Sequence, residues 1–340
     1  MITVLEPGWF TSFQDRGRNG FAHLGVPQAG AADSLSLRHA NLLVGNTGNA
    51  GALEITLGGP ILRFEINTVI ALAGGRLEAH LDDSPLPMYQ SIPVRAGQVL
   101  TCGRLLTGLR CYLAVAGGFS AEPVLASIST DTFAGFGPPP LRAGDSLSVQ
   151  THTLNHGWYL RVPPQFPDNV MLRVIAGPHE KWFTSSALAD FLESEYEVCT
   201  RSDRTGLRLA GRQIPRSNLG ELRTQGMVSG AIQVPGDGQP ILLLPNHGTT
   251  GGYPVIAVVI HADQPRLGQL RPGARLRFES VTHAQALAAL EAGETDLRTA
   301  LVPADPGLLA ARSLMQLAKS HPFLQEASVQ MGQRKLRLRR

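Results

Sequence analysis

The sequence predicts a mainly β protein whose two halves are built as tandem barrels or sandwiches, with a few helices. Short apolar runs recur along the 340 residues, and each is bounded by Gly, Pro, Asn or Asp, as strands between turns are. The 37 Gly and 24 Pro are spread along the chain, so that turn signals recur about every ten residues, which is typical of barrels and sandwiches.

The predicted strands are distributed over both halves of the chain. They are 51–57, 60–65, 68–74, 111–118, 145–149, 170–177, 231–236, 240–245, 254–260 and 274–279. One motif, Arg-x-Gly-x-x-Leu, occurs within 94–100, 141–147 and 270–276, and it is typical of a turn that enters a strand with an inward Leu. The two later copies lie near the ends of the two halves of the chain. They favour related architectures in both, although such turns are also common enough to coincide.

Helices are predicted at 33–46, 178–196, 283–293 and 306–321. The first begins at Asp33, a good N-cap residue, carries Leu35, His39 and Leu42 on one face, and ends near Gly45. The second opens at a Pro and has apolar residues near helical spacing, and the last two are rich in Ala and Leu, which favour helix.

A Pro-rich stretch divides the chain. The predicted organisation is an N-terminal β-barrel domain over 1–152, a linker over 153–168, a C-terminal β-barrel domain over 169–300, and a helical extension with a basic tail over 301–340. The tail carries several positive charges, so the rest of the chain is slightly acidic despite the formal net charge of +3. We expect the tail to be a solvated, poorly ordered end and the protein not to bind nucleic acid.

The composition excludes several classes of protein. The longest apolar runs, such as 255–260, are far shorter than the roughly 20 residues of a membrane-spanning helix, and the N-terminus has no basic-then-apolar signal. We therefore expect no membrane association and a cytoplasmic location. The three cysteines are too few and too scattered for a disulfide framework or a zinc site. His152 and His156 are four residues apart, but no further ligand is nearby, and no metal site is predicted.

Lysine occurs only three times, and none of the three follows a Gly-rich phosphate-binding pattern. No biotin-carrier pattern is present either. If ATP or biotin takes part in the function of this protein, we expect another chain to supply much of that site.

Four segments combine Gly-rich backbone with polar side chains, and such backbone can present N–H groups to an anionic or carbonyl oxygen. They contain Gln14, Asp15, Arg16, Arg18 and Asp33; Ser127, Ser129, Thr130 and Asp131; Arg201, Ser202, Asp203 and Arg204; and Gln225, His247, Thr249, Thr250, Gly251, Gly252 and Tyr253. Each pattern also fits a structural role, as loop-fixing ion pairs or turn hydrogen bonds.

These segments together resemble one known family. "TSFQDRGRNGFAHLGVPQAGAAD", "SISTDTFAGFG", "SDRTGLRLAG", "QGMVSGAIQVPGDGQPILL" and "TTGGYPVIAVVI" are similar to the motifs of the allophanate hydrolase subunit 2 family, also known as the biotin-dependent carboxyltransferase domain family. The resemblance covers roughly residues 1–300. It implies two tandem cyclophilin-like β-barrel domains, in agreement with the strand pattern.

The resemblance also implies partners and a reaction. Many bacterial members are the C subunit of a 5-oxoprolinase, which opens 5-oxoproline to glutamate using ATP. The implied partners are a kinase-inhibitor-I-like protein, the B subunit of that complex, with a LamB/YcsF-like protein as its A subunit. One alternative is a carboxyltransferase component that moves a carboxyl group from carboxybiotin to urea or a related amide. Another is a regulatory protein that antagonises a kinase-inhibitor partner. We expect this chain to be inactive by itself.

Both enzymatic reactions develop negative charge on an amide or ureido oxygen, which backbone N–H groups and Arg can stabilise. A carboxylate or His247 could move the proton. The predicted catalytic residues are Asp15, Arg18, Asp203, Arg204, His247 and Tyr253. The predicted substrate-binding residues are Gln14, Arg16, Asp33, Ser127, Ser129, Thr130, Asp131, Ser202, Gln225, Thr249, Thr250, Gly251 and Gly252.

Overall fold

A computed structural model of the protein describes residues 1–150, 157–218, 220, 222–305, 307–309, 311, 312, 315, 326–331 and 334–339. The strands are β1 (Ile2–Glu6), β2 (Phe10–Gln14), β3 (Ala52–Thr56), β4 (Ile61–Phe64), β5 (Thr68–Gly74), β6 (Leu77–Leu81), β7 (Ser84–Pro85), β8 (Ile92–Val94), β9 (Val99–Leu105), β10 (Arg110–Val115), β11 (Phe119–Ser120), β12 (Ser146–Val149), β13 (Gly157–Leu160), β14 (Asn169–Ala176), β15 (Tyr196–Val198), β16 (Gly206–Gly211), β17 (Gln225–Gly226), β18 (Ala231–Gln233), β19 (Ile241–Leu243), β20 (Thr250–Gly251), β21 (Val255–Val259), β22 (Arg275–Ser280), β23 (Leu301–Ala304), β24 (Glu326–Met331) and β25 (Arg334–Arg339). The α-helices are α1 (Ser34–Leu43), α2 (Ser185–Glu193), α3 (Gln264–Leu267) and α4 (His283–Ala300), and 3-10 turns lie at Ala22–Leu24, Glu180–Trp182 and His261–Asp263.

The first half packs two sheets against each other. A seven-stranded sheet has the order β11-β12-β1-β4-β9-β6-β7, and a five-stranded sheet has the order β2-β3-β10-β5-β8. Their facing apolar side chains form one core cluster. Helix α1 covers the other face of the five-stranded sheet, where Ala71, Ala73 and Ala114 allow the helix to approach closely. The middle strands of that sheet are therefore buried on both faces.

The second half is a closed barrel of seven strands in the order β14-β21-β18-β19-β16-β15-β22. Its interior is apolar, and α2 packs against β22, where the rings of Phe191 and Phe278 stack with centroids 4.6 Å apart. The prediction of a mainly β fold with a few helices is confirmed, and closure is complete in the second half.

Each of the ten predicted strand segments overlaps a strand of the structure. The recurrent turn motif also behaves as predicted. Gly97, Gly144 and Gly273 have φ of +91°, +89° and +88°, in the left-handed region that favours glycine, and each lies just before β9, β12 or β22. The Leu that follows each glycine is buried in the core.

The helix prediction over 33–46 is confirmed: the side chain of Asp33 caps α1 by accepting from the amide of Ser36 at 2.9 Å. The predicted helix over 178–196 is instead a 3-10 turn followed by the shorter α2. The reason is that Thr184 begins a new helix by accepting from the amide of Ala187 at 3.1 Å. Helix α4 extends the helix predicted over 283–293 to Ala300.

The segment predicted as a linker contains β13, which pairs antiparallel with β23 (Leu301–Ala304). Leu160 of β13 is buried against α1. The chain beyond residue 300 thus begins with a strand, not a helix, because β13 offers it an edge. Within the basic tail, β25 pairs with β24, where a poorly ordered end was expected. Most of the helix predicted over 306–321 lies outside the described residues.

One buried carboxylate, that of Glu54 on β3, joins the two halves. Its Oε1 lies 3.2 Å from Nε of Arg110 on β10 and receives Nη1 of Arg204 from the second half. Its Oε2 accepts from the hydroxyl of Tyr112 at 2.7 Å and from the amide of Ala32 at 2.9 Å. Both oxygens therefore have donors, which offsets the desolvation cost of a fully buried charge.

Arg204 extends this contact to the neighbouring loops. Its Nη2 donates to the carbonyl of Gly30, and its Nε donates to Oδ1 of Asn246 at 3.2 Å. Beside it, the amide of Ala29 donates to the carbonyl of Pro245 at 3.0 Å. A loop of the first half is thus fixed directly against a loop of the barrel.

Gln269 provides a second connection between the halves. Its Nε2 donates to Oδ2 of Asp33 at 2.7 Å, and its Oε1 accepts from the amide of Arg110 at 3.1 Å. The guanidinium of Arg110 also donates to the carbonyl of Gly268 at 2.5 Å. The N-terminus of α1 and strand β10 are therefore held against the end of α3, so the relative position of the halves is fixed by directed polar contacts.

We predict that Arg204→Met lowers the free energy of unfolding by about 3 kcal/mol, because it removes one cation from the fully buried Glu54. Urea denaturation of the isolated chain measures this loss. Arg212→Met is the matched control, since its ion pair with the partly buried Asp190 is 2.8 Å long but the Arg212 side chain is exposed, so the pair should contribute less than about 1 kcal/mol. Equal losses in the two variants would contradict the role of the Glu54 contact.

The stabilisation that Glu54 provides is also predicted to depend on pH. Burial acts to raise the pKa of Glu54, but Arg204 and Arg110 outweigh it and hold the pKa below its ordinary value of 4.5. The folded state therefore binds fewer protons than the unfolded state, and the stabilisation is present above pH 4.5 and lost as the pH falls through the lower, folded value. Urea midpoints measured from pH 7 to pH 3 should fall less steeply below pH 4.5 in Glu54→Gln than in the wild type, and parallel curves would contradict this.

Candidate functional site

A cleft of about 1010 Å³ lies between the two halves. One wall is formed by the chain from Asp15 to Ala32 and by α1. The other is formed by residues 227–230 before β18, by the end of β19 and the loop that follows it, and by residues within 261–267. Its polar side chains include Arg16, Asn19, Gln28, Ser34, Arg38, Asn49, Ser229, His247, Thr249, His261 and Gln264. Loops from both halves therefore meet at one cavity, and the contact between Glu54 and Arg204 joins the same two halves.

His247 lies in the barrel wall of this cleft and is 8% exposed. Its Nδ1 is 2.7 Å from the carbonyl of Gly248, and since a carbonyl only accepts, Nδ1 carries the proton. Nε2 of the neutral ring is then an acceptor. Burial lowers the pKa of His247, and the hydrogen bond to Gly248 opposes this only in part. The ring is thus a neutral base near pH 7.

Arg16 lies on the opposite wall, and its side chain is exposed. Among the described residues, no carboxylate lies within ion-pair distance of its guanidinium. Asn19 and Gln28 line the same wall. This side of the cleft can therefore receive an anionic group, because an unpaired guanidinium binds carboxylates in bidentate fashion.

Asp15 also borders the cleft, but both of its carboxylate oxygens already accept hydrogen bonds from other residues of the protein. Its Oδ1 accepts from the hydroxyls of Ser127 and Ser129, each at 2.6 Å, and from the amide of Gly17 at 2.8 Å. Its Oδ2 accepts from the amide of Ile128 at 2.8 Å. The first two predicted segments are thus brought together, with Asp15 as the acceptor that joins them.

Behind this contact lie Gln14, Arg18, Thr130 and Asp131, all buried. Arg18 Nη2 donates to the carbonyl of Ser129 at 2.5 Å, and Gln14 Nε2 donates to that of Thr130 at 3.0 Å. Burial lowers the pKa of Arg18, although Asp15 and Asp131 act against the shift. None of these four side chains lines the cleft, so they hold the loops from behind.

The predicted residues of the second half are divided between several places. Thr249 lines the cleft. Ser202 and Asp203 shape the turn before β16: the hydroxyl of Ser202 accepts from the amide of Arg208 at 3.0 Å, and Asp203 Oδ1 accepts from the amide of Thr205 at 2.7 Å. Arg204 is engaged at Glu54 and turned away from the cavity.

Strands β17 and β20 pair Gln225 with Gly251 and Gly226 with Thr250. The side-chain amide of Gln225 lies 2.6 Å from Nε2 of His179. None of these residues, nor Gly252, lines the cleft. Tyr253 is 48% exposed and also lies outside it. Asp33 caps α1 and is bound by Gln269, so its carboxylate has no free oxygen facing the cleft.

The sequence patterns did not indicate Glu54, which joins the two halves, or several residues of the cleft. A carboxylate within the apolar run "ALEITL" was the available signal for Glu54. Arg38 and Glu294 form a bidentate pair of 2.5 and 2.7 Å that joins α1 to α4, and Leu297 of α4 lines the cleft. Their separation in the sequence left no local pattern that could reveal this contact.

Among the described residues, no cluster of three His, Cys, Asp or Glu side chains is arranged to hold a metal ion. His152 and His156 lie outside the described residues. None of the described helices combines the length and the apolarity needed to cross a bilayer.

We predict that Asp15→Ala lowers the free energy of unfolding by about 3 kcal/mol, because three buried donors and the partly buried amide of Ile128 lose their acceptor. Chemical denaturation of the isolated chain measures the change. Asp203→Ala serves as the control: it removes a turn acceptor that is exposed, so water can replace it and the loss should stay near 1 kcal/mol or below. A smaller loss for Asp15→Ala than for the control would contradict the structural role of Asp15.

Comparison with known proteins identifies the relatives of this chain. It is 39% identical over 292 residues to the 5-oxoprolinase C subunit of Escherichia coli (strain K12), covering 85% of this chain and 94% of that protein. It is 36% identical over 286 residues to the 5-oxoprolinase C subunit of Haemophilus influenzae, covering 83% and 92%. The crystal structure of K. lactis urea amidolyase superposes on this chain with a TM-score of 0.81 at 30% identity. The match covers 87% of this chain but only 20% of the K. lactis protein.

The family resemblance predicted from the motifs is thereby confirmed. Residues 24–280 match the carboxyltransferase domain, subdomain A and B. The matched region includes the cleft residues between Gln28 and Leu267 and the whole of the closed barrel from β14 to β22. This chain belongs to the carboxyltransferase domain (subdomain A and B) family.

Proposed function

We propose that this chain is the C subunit of a 5-oxoprolinase, which opens the lactam amide of 5-oxo-L-proline to give L-glutamate with consumption of ATP. The observation that carries this proposal is the nearly full-length correspondence to the 5-oxoprolinase C subunit of E. coli, of which 94% is covered. In contrast, the chain corresponds to 17% of the urea amidolyase of Saccharomyces cerevisiae.

The cleft offers suitable chemistry for this substrate. 5-Oxoproline carries a carboxylate beside its lactam, and we propose that Arg16 binds that carboxylate, since its guanidinium is exposed in the cleft and has no carboxylate partner among the described residues. Asn19 and Gln28 lie on the same wall and can hydrogen-bond a ring amide. Thr249 faces them from the barrel.

His247 is the group we assign to proton transfer. The Gly248 carbonyl fixes its tautomer and leaves Nε2 as the acceptor, and burial lowers its pKa so that the ring is neutral near pH 7. A neutral imidazole can accept a proton from an attacking water or from the lactam nitrogen as the amide is activated. Asp15, Arg18, Ser127, Ser129, Thr130 and Asp131 would act by fixing the loop that carries Arg16.

The remaining parts of the reaction are assigned to partners. We propose a kinase-inhibitor-I-like protein as the B subunit, with a LamB/YcsF-like protein as the A subunit, because the sequence of this chain contains no phosphate-binding Gly-Lys pattern for ATP. A cleft of about 1010 Å³ exceeds the size of 5-oxoproline and leaves room for a segment of a partner.

Cys102, Cys111 and Cys199 are unpaired thiols, which suits the cytoplasmic location that we propose.

The second candidate is a carboxyltransferase component acting on urea or a related amide with carboxybiotin supplied by another chain. The fold similarity to K. lactis urea amidolyase, at a TM-score of 0.81, favours it. The cleft wall formed by Met227, Val228 and Leu243 could accommodate the apolar stem of biotin beside polar groups for its ureido ring. This candidate stands second because the chain corresponds to 94% of the E. coli 5-oxoprolinase C subunit but to only 20% of the K. lactis urea amidolyase.

The test is reconstitution. This chain is co-expressed with a LamB/YcsF-like protein and a kinase-inhibitor-I-like protein, and ATP-dependent glutamate formation from 5-oxoproline is measured, with each chain omitted in turn. We expect activity only in the full mixture. Biotin-dependent carboxylation of urea in a mixture with a biotin carboxylase would instead support the second candidate, and no turnover with binding to a kinase regulator would support a regulatory role.

Within the active complex, we predict that His247→Gln lowers kcat by a factor of about 100 or more, because it removes the base. Arg16→Ala should raise KM for 5-oxoproline about tenfold with a smaller effect on kcat, because it removes the carboxylate partner. His80→Gln and Arg142→Ala are the controls, since both side chains are exposed in the first half and neither lines the cleft. Unchanged kinetics in His247→Gln would remove this residue from the mechanism.

A further inference from the structure

A second, smaller cavity of about 170 Å³ lies on the outer face of the barrel. Strands β16 and β19 form its floor, where Gly206 pairs with Leu243 and Arg208 pairs with Ile241. Leu207, between Gly206 and Arg208, is buried in the barrel core, so Gly206 and Arg208 face outward. Because Gly206 has no side chain, the backbone forms part of the floor.

The rim of this cavity is cationic. Arg201 and Arg208 both line it and are exposed, and neither has a carboxylate within ion-pair distance among the described residues. Asp203 also lines the cavity, but its Oδ1 already accepts from the amide and hydroxyl of Thr205 at 2.7 and 2.5 Å. Two guanidinium groups therefore stand over a small concave surface against one carboxylate that is held by its own turn.

A buried polar group connects this cavity to the cleft. His247 lines both, is 8% exposed, and has its Nδ1 proton committed to the carbonyl of Gly248, which leaves Nε2 without a protein partner among the described residues. Leu243 lines both cavities as well. The small cavity and the cleft are thus adjacent, because they share two lining residues.

We propose that this cavity binds a compact tetrahedral oxyanion of the phosphate type through Arg201 and Arg208. The volume suits one such group. Two guanidinium groups that have no carboxylate partner among the described residues match the oxygens of a phosphate better than they match the two oxygens of a single carboxylate. The oxyanion is either free phosphate or the terminal phosphoryl group of a nucleotide. The proposal does not depend on the reaction assigned to the cleft.

Inorganic phosphate is the probe. Isothermal titration of the full chain with phosphate at constant, low ionic strength should give saturable binding. The double variant Arg201→Ala/Arg208→Ala should weaken this binding at least tenfold without a change in Tm, since both side chains are exposed. The matched control is Arg95→Ala/Arg142→Ala, which removes the same charge from exposed positions of the first half and should bind phosphate like the wild type.

The source of the oxyanion is then identified by competition. Displacement of phosphate by ADP would assign the site to the terminal phosphoryl group of a nucleotide, and binding of phosphate that ADP does not displace would assign it to the free ion. Absence of saturable phosphate binding to the wild type would overturn the proposal. Equal weakening in the two double variants would overturn it as well, because the binding would then follow net charge and not the cavity. Because no substrate or partner protein is present, a failure here leaves the reconstitution test unaffected.

Discussion

The relative position of the two halves depends on a carboxylate that water does not reach. Glu54 is fully buried between a sheet and a helix, and it is stable in its charged form because Arg110 and Arg204 both reach it. Arg110 belongs to the first half and Arg204 to the second. Separating the halves would leave a buried charge with half of its cations, so the ion pair acts as a constraint on the position of the barrel as well as a local contact.

The geometry of the cleft follows from this constraint. The guanidinium of Arg204 also binds the carbonyl of Gly30, and the amide of Ala29 donates to the carbonyl of Pro245. These contacts hold the loop that carries Arg16 against the loop that carries His247. A base on one wall and a cation on the other can cooperate only if their separation is maintained. The same contacts would transmit any movement of the barrel directly to the binding loops.

The polar residues of the Gly-rich loops divide into two kinds. Asp15, Asp33 and Asp203 have their carboxylates engaged by hydroxyl and amide donors, and their effect is to hold loops and helix ends in place. Arg16 and His247 retain hydrogen-bonding capacity toward the cleft. The division is physical: a carboxylate with three or four internal donors has little left to offer a substrate, whereas an unpaired guanidinium or imidazole nitrogen does.

Local periodicity and backbone conformation specify the mainly β class, the strands bounded by turns, the cap of α1 at Asp33 and the glycine turns before β9, β12 and β22, so these features could be predicted from the sequence. Its motifs also indicated the family, and two of the segments that they marked, those with Arg16 and His247, line the cleft. The pairing of β13 with β23, the ion pairs of Glu54 and the separation of cleft residues from loop-fixing ones were decided by the tertiary structure. Each of these joins residues far apart in the chain, and whether a charged group is free or saturated depends on neighbours that no local pattern specifies.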